Sequence, residues 1–167
     1  LSQTFKNYEH LLIDDGSTDS SKQLVKNYED HRIKLLNPGK IGRAKALNLG
    51  LQKASADYIA ILDADDISLS NRLEVQYNEF LNDKSLSLVC GNVLLIDKNN
   101  NLKGKLSYPE KHENLIKYIF NLNPFPHSSV MFDKKKIMHV GGYNNRCEKS
   151  IDFNFYLELL YNKAKFK

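Results

Sequence analysis

Tyr58-Ile59-Ala60-Ile61-Leu62-Asp63-Ala64-Asp65-Asp66 is an apolar run that closes on three carboxylates within four positions, and its reading decides the fold. A short apolar run bounded by acids reads as a buried strand, here Tyr58 to Leu62. The acids then stand at the strand's carboxyl end, where open α/β sheets bind ligands. Along a strand, side chains at i and i+2 point the same way. Asp63 and Asp65 are therefore expected to face one ligand, with Ala64 leaving room beside it. Two clustered carboxylates repel and need a cation to offset them. An Asp-x-Asp pair suits a hard divalent ion with a phosphate behind it. The alternative is that these acids cap a helix beginning near Ser70.

On the amino-terminal side, His10-Leu11-Leu12-Ile13-Asp14 runs into Asp14-Asp15-Gly16-Ser17-Thr18-Asp19. That is a buried strand, a glycine turn, and a helix from Ser20 to Tyr28 capped by Ser17 or Thr18. Arg32 to Leu36 is another short strand, and Asn37-Pro38-Gly39-Lys40-Ile41-Gly42 is a turn-rich loop. Ala44, Leu47, Leu51 and Ala54 recur at helical spacing over Arg43 to Ala54. On the other side, Leu69, Leu73, Tyr77, Phe80 and Leu81 mark a further helix. Leu86 to Ile96 reads as extended, and Asp97 to Asn101 as the turn of a hairpin. Strands alternating with helices predict an α/β, Rossmann-like fold with a mostly parallel central sheet flanked by helices. After Asn101 the pattern becomes irregular, with Pro109, Pro124 and Pro126, a strand over Ser128 to Phe132, a Gly-Gly turn at 141 and 142, and a helix from Asp152 to about Asn162.

With 167 residues the chain fits one domain. At 41% hydrophobic and 26% charged it has a globular composition, and no apolar stretch approaches the ~20 residues that span a bilayer. The net charge of +4 favours a phosphate-bearing ligand or an anionic surface and is too small to indicate nucleic acid. Cys90 and Cys147 lack metal-type spacing, which points to free thiols in a reducing compartment. The basic run Lys134 to Lys136 reads as a solvated helix start, with a membrane-surface role as the alternative.

Several stretches fall in a characteristic order: Gln3-Thr4-Phe5, Ile13-Asp14-Asp15-Gly16-Ser17-Thr18-Asp19, Asn37-x-Gly39, Ala46-Leu47-Asn48-x-Gly50-Leu51, Ala54-x-Ala56-Asp57-Tyr58-Ile59, Leu62-Asp63-Ala64-Asp65-Asp66, Pro126-His127-Ser128-Ser129-Val130-Met131-Phe132 and Gly141-Gly142-Tyr143. In this arrangement the chain resembles a family 2 inverting glycosyltransferase of the GT-A fold, of the bacterial surface-polysaccharide type. The resemblance covers nearly the whole chain. It implies a single GT-A domain over 1–167, with a nucleotide-sugar-binding half at 1–101 and an acceptor-side half at 102–167. It also implies that the family's first strand and loop, and a carboxyl-terminal extension, lie outside this sequence.

What the resemblance implies chemically is hexosyltransferase-like transfer of a sugar from a nucleoside-diphosphate donor, UDP in well-known members, to a saccharide or lipid-linked saccharide acceptor. Asp15 would accept a hydrogen bond from the base, the other reading being a turn-capping residue. Asp63 would meet ribose or metal, and Asp65 would hold Mg²⁺ or Mn²⁺. Arg43 or Lys45 would meet the donor phosphates, against a solvated helix face. Asp152 would be the catalytic base, although Ile151 stands where the family usually has Glu; the alternatives are a helix N-cap role for Asp152 and Glu148 as the base. His127 would line the acceptor side, against a hydrogen-bonded structural role. The implied location is cytoplasmic, at the inner face of the membrane, with peripheral contact there left open.

Two other readings compete. Ile151 allows a catalytically silent nucleotide-sugar-binding subunit. Asp14 and Asp15 at a strand end also imitate the acidic pocket of a phosphoacceptor signalling domain, which requires a lysine at the end of the last strand.

Overall fold

The computed structural model describes residues 1–120 and 125–167, so Pro124 lies outside the described residues. β1 (His10–Ile13) and β2 (Ile33–Leu36) pair in parallel, from His10 opposite Ile33 to Ile13 opposite Leu36. α1 (Ser21–Lys26) connects them. α2 (Arg43–Lys53) starts directly after Gly42, whose φ of 89° is a left-handed conformation that glycine adopts without steric cost.

The chain then enters β3 (Tyr58–Ala60), α3 (Arg72–Asn82) and β4 (Leu86–Val89). A hairpin of β5 (Val93–Ile96) and β6 (Leu102–Leu106) follows, then α4 (His112–Ile119). The segment expected to be extended over Leu86 to Ile96 is thus broken after Val89, and its two parts belong to different sheets. A 3-10 turn at His127–Ser129 leads into β7 (Met131–Asp133) and α5 (Lys134–His139), so the predicted strand begins three residues late. α6 (Ile151–Tyr161) and β8 (Lys165–Phe166) complete the described chain.

The sheet corrects one expectation. β3, β7, β4 and β8 form a four-stranded sheet in that order. β7 runs antiparallel to both β3 and β4, while β8 is parallel to β4. The architecture is α/β, as expected, but its ladders are mixed rather than mostly parallel. Strand–helix alternation reports only on crossovers between neighbours in sequence, and β7 arrives from far along the chain. Its insertion between β3 and β4 also means that residues 1–101 and 102–167 share one sheet.

Successive residues of β7 point to opposite faces. Met131 packs with Phe80 of α3, Leu86 and Val89 on one face. Phe132 packs with Leu88 and with Phe155 of α6 on the other, the two phenyl rings 5.8 Å apart. Each fully buried ring of this kind contributes roughly 1.5–3 kcal/mol. The amino-terminal segment straps the start of α3. Gln3 Nε2 donates to the Leu69 carbonyl at 2.8 Å, Leu73 N–H donates to Gln3 Oε1 at 3.1 Å, and Thr4 N–H donates to the Ser70 carbonyl at 2.7 Å. Gln3 thereby meets an orphan donor of the helix, and no side chain of Asp63, Asp65 or Asp66 caps it.

The basic run does start a helix, but of its three lysines only Lys135 is left exposed to solvent. Lys134 Nζ donates to the Ala54 carbonyl, and Lys136 Nζ donates to the carbonyls of Lys84 and Leu86 at 2.8 and 2.6 Å. Both ammonium groups anchor α5 to neighbouring backbone. Cys90 and Cys147 are free, and burial pushes the Cys90 thiol up to about 12. No helix among the described residues is long and apolar enough to cross a membrane.

Candidate active site

The loop before α2 is built around Asp15. Its Oδ1 accepts from the N–H groups of Ile41 and Gly42 at 2.7 and 2.9 Å. A Cβ on Gly16, where φ is 90°, would come within 3.0 Å of Lys40 Cβ, so the Asp15–Gly16 turn and this loop pack against each other. Asp15 therefore does cap a turn, and only its Oδ2 is left without a partner among the described residues. The neighbouring Asp14 accepts from Ser17 N–H at 2.9 Å and pairs with Lys22 at 3.3 Å. Those contacts, with the hydrogen bonds from Ser17 foremost, lower its pKa.

Arg43, the first residue of α2, reaches across to the carboxylate of Asp63, with Nη2 3.1 Å from Oδ1 and 3.2 Å from Oδ2. The same arginine borders a cavity of about 160 Å³ lined also by Glu148, Ser150, Ile151 and Asp152. Arg43 thus joins the acids after β3 to the amino end of α6. Asp152 lies in the first turn of α6, and the N-cap position belongs to Ser150, held at φ 49°; the N-cap reading of Asp152 does not hold. Glu148 lies in the same cavity and stays a geometric rival.

Asp63 and Asp65 sit differently from the expectation. β3 ends at Ala60, so the i and i+2 rule for strands does not apply to them. Instead Asp66 N–H donates to the Asp63 carbonyl at 3.2 Å, closing a turn that contains both residues. Asp63 N–H donates to Ser128 Oγ at 2.9 Å, which fixes that turn to the segment ahead of β7. The Asp65 side chain is exposed and forms no hydrogen bond or ion pair among the described residues. No group of three or more His, Cys, Asp or Glu side chains among the described residues could hold a metal alone. Lys45 is exposed on α2 and takes no part in this cluster.

His127 corrects another expectation. It is buried, its Nδ1 lies 2.6 Å from the Tyr156 hydroxyl, and its Nε2 lies 3.0 Å from the Tyr143 hydroxyl. With both ring nitrogens taken inside the core, it cannot present an edge to an acceptor. Burial lowers its pKa to about 4, against the opposing pull of Asp152 and Asp63, so the ring is neutral near pH 7. A neutral imidazole donates once and accepts once, so one tyrosine donates to the ring and the other receives from it. This network stands immediately behind Ser128 and hence behind Asp63. Sequence reading missed both tyrosines, which lie 16 and 29 residues from His127. It also missed Asn48, whose Oδ1 accepts from Tyr143 N–H at 2.9 Å and whose Nδ2 donates to the Tyr143 carbonyl at 2.8 Å.

The signalling-domain reading fails on its own test. The lysine in the last described strand, Lys165, donates to Asp83 Oδ2 at 2.8 Å and to Ser85 Oγ at 3.0 Å, not to Asp14 or Asp15.

Comparison with known proteins identifies the family and the fold. The family model described as "Glycosyl transferase family 2" matches residues 1–142. An uncharacterized glycosyltransferase of Methanocaldococcus jannaschii is 32% identical over 170 residues, covering 98% of this chain and 58% of that relative. The Escherichia coli protein WfgD, named a UDP-Glc:alpha-D-GlcNAc-diphosphoundecaprenol beta-1,3-glucosyltransferase, is 42% identical over 112 residues, covering 66% of this chain and 44% of the relative. The mannosyltransferase PcManGT from Pyrobaculum calidifontis, solved in complex with GDP-Man and Mn2+, superposes with a TM-score of 0.70 at 16% identity, covering 99% of this chain and 47% of that one. That likeness establishes a shared GT-A fold. The chain spans between 44% and 63% of the length of the first three curated relatives it matches.

Proposed function

The chain belongs to glycosyl transferase family 2, and from that premise we propose that it is a metal-dependent, inverting glycosyltransferase of surface-polysaccharide synthesis. It moves a sugar from a nucleoside-diphosphate donor, UDP in this reading, to a hydroxyl of a saccharide or lipid-linked saccharide. The observation that carries the proposal is Arg43, which is paired with Asp63 and borders the cavity holding Asp152. A cation that can meet a diphosphate thus stands between the acids after β3 and a carboxylate suited to act as base. The relative WfgD is named for a UDP-sugar and a diphosphoundecaprenol-linked acceptor, which supports the same classes of donor and acceptor here.

In this mechanism Asp15 uses its unbonded Oδ2 for the nucleoside base while Oδ1 keeps the loop before α2 in place. Asp63 and Asp65 bring hard carboxylate oxygens to one turn and would be the residues to hold Mn²⁺ or Mg²⁺. When bound, such an ion supplies Lewis-acid stabilisation of charge on the leaving diphosphate. Arg43 exchanges its contact with Asp63 for donor phosphate oxygens. Asp152 takes the proton of the acceptor hydroxyl, whose oxygen bonds to the anomeric carbon as the bond to the diphosphate breaks and its electron pair leaves with the nucleotide. Ile151 lines the same cavity beside Asp152 and gives the carboxylate an apolar neighbour. His127, Tyr143 and Tyr156 act as positioning residues through Ser128. We place the reaction in the cytoplasm at the inner membrane face, where a lipid-linked acceptor is within reach.

The test is sugar transfer and donor hydrolysis by the full-length protein with Mn²⁺. A general base is worth roughly 10²- to 10⁴-fold, so Asp152→Asn lowers kcat by that factor while Glu148→Gln leaves it near wild type. The reverse pattern assigns the base to Glu148. Donor binding with neither transfer nor hydrolysis makes the protein the silent subunit that Ile151 allows.

A further inference from the structure

The hairpin of β5 and β6 is a two-stranded sheet of its own, hydrogen-bonded to no other strand among the described residues. Leu94, Leu95, Ile96, Leu102 and Leu106 on it are 42% to 64% exposed. Directly opposed residues of an antiparallel pair share a face. Leu94 stands opposite Lys105, and Ile96 opposite Leu102. Leu95 stands opposite Gly104, and Val93 opposite Leu106. Exposed aliphatic side chains therefore occur on both faces of the ribbon.

Its charge is as one-sided as its faces are alike. Lys98, Lys103 and Lys105 stand against Asp97 alone. Asp97 is spent on the turn, accepting from Asn99 and Asn101 N–H at 2.9 and 3.0 Å and pairing with Lys103 at 3.1 Å. The ammonium groups of Lys98 and Lys105 have no partner among the described residues. At the base, Tyr108 N–H donates to Asn92 Oδ1 at 2.9 Å, so the projection is anchored where it leaves the body.

We propose that this hairpin docks the protein on an anionic phospholipid surface. The aliphatic side chains enter the headgroup boundary, and Lys98 and Lys105 meet lipid phosphates. A second copy would bring the same positive charge against these lysines. A rigid protein surface would cover one face of the ribbon and leave the other wet, whereas a bilayer boundary surrounds both. The inference rests on the reading of a lipid-linked acceptor, since it explains how the enzyme reaches one. It also moves the membrane contact away from Lys134 to Lys136, two of whose three ammonium groups are committed to backbone carbonyls.

The experiment is co-sedimentation of the full-length protein with phosphatidylcholine vesicles, with and without phosphatidylglycerol. Binding is expected only with phosphatidylglycerol, and it should weaken as salt screens the charges. Each surface lysine is worth about fivefold in partitioning to anionic lipid, so Lys98→Gln and Lys105→Gln each lower binding by about that factor. Both positions are exposed, so these variants keep the wild-type Tm. The pair Leu94→Ser and Ile96→Ser abolishes binding. Absence of binding to the anionic vesicles, or binding that all four substitutions leave unchanged, overturns the proposal. Light scattering that shows a dimer lost on Leu94→Ser also overturns it, by assigning the face to a second copy. Vesicle binding needs neither donor nor metal, so its failure and a failure of sugar transfer are separately visible.

Discussion

Arg43 clasps Asp63 with one guanidinium nitrogen, 3.1 and 3.2 Å from the two carboxylate oxygens, in a pair that is largely open to solvent. Exposed pairs of this kind contribute about 0–1 kcal/mol to folding. The pair therefore positions two side chains of the candidate site more than it holds the fold together. Arg43→Ala should change unfolding free energy by less than about 1 kcal/mol in urea titration. A charge-assisted hydrogen bond to phosphate is worth about 1.5–3 kcal/mol. Calorimetric titration should accordingly show nucleoside-diphosphate binding weakened roughly 10- to 100-fold, with Arg43→Lys in between because it keeps charge without the fork. Unchanged affinity would remove Arg43 from the donor site.

The loop that carries the chain from α5 to α6 depends on a glycine. Gly142 has φ 73°, and a Cβ there would lie 2.6 Å from Asn48 Oδ1, the atom that accepts from Tyr143 N–H. Gly141 has φ 93°, but a Cβ there would meet nothing within 4 Å. Gly141→Ala should cost the conformational penalty alone, about 1–2 kcal/mol. Gly142→Ala adds the clash and the loss of the Asn48 contacts, for about 3 kcal/mol or more in urea denaturation. Equal losses at the two positions would contradict the packing described for Asn48.

His127 makes stability depend on pH in a defined window. Its folded pKa, lowered to about 4 mainly by burial, lies below the ordinary value of 6.5. Between these values the unfolded chain binds the proton and the folded chain does not, so stability rises with pH there. The contribution is fully present above about 6.5 and is lost as pH falls toward 4. Denaturation at pH 7, 5.5 and 4.5 should show this decline, and His127→Phe should flatten it. The same substitution leaves Tyr143 and Tyr156 hydroxyls buried without their partner, at about 1–3 kcal/mol each. A decline that persists in His127→Phe would place the titrating group elsewhere.

What was legible in the chain was what local chemistry determines. The Asp97 to Asn101 turn could be read because an Asp side chain bonds its own following backbone, as Asp97 does. Asp15 and the acids after β3 could be found because each lies in a short, ordered motif. The antiparallel place of β7 could not, because its neighbours β3 and β4 are set by contacts across some 70 and 40 residues of chain. The role of His127 was hidden for the same reason, since both tyrosines that bind it come from later segments. Lys134 and Lys136 look like solvent-facing charges in any window of sequence, and only the fold brings the carbonyls of Ala54, Lys84 and Leu86 beneath them.

The most direct measurement is a thermal-shift titration of the full-length protein with UDP, with and without Mn²⁺, on wild type and Asp65→Ala. A ligand at a hundred times its Kd stabilises by about 2.7 kcal/mol, roughly 5 to 10 °C for a domain of this size. The account predicts that this shift needs Mn²⁺ and disappears in Asp65→Ala. A shift of full size without the metal, or one that Asp65→Ala leaves intact, would contradict it.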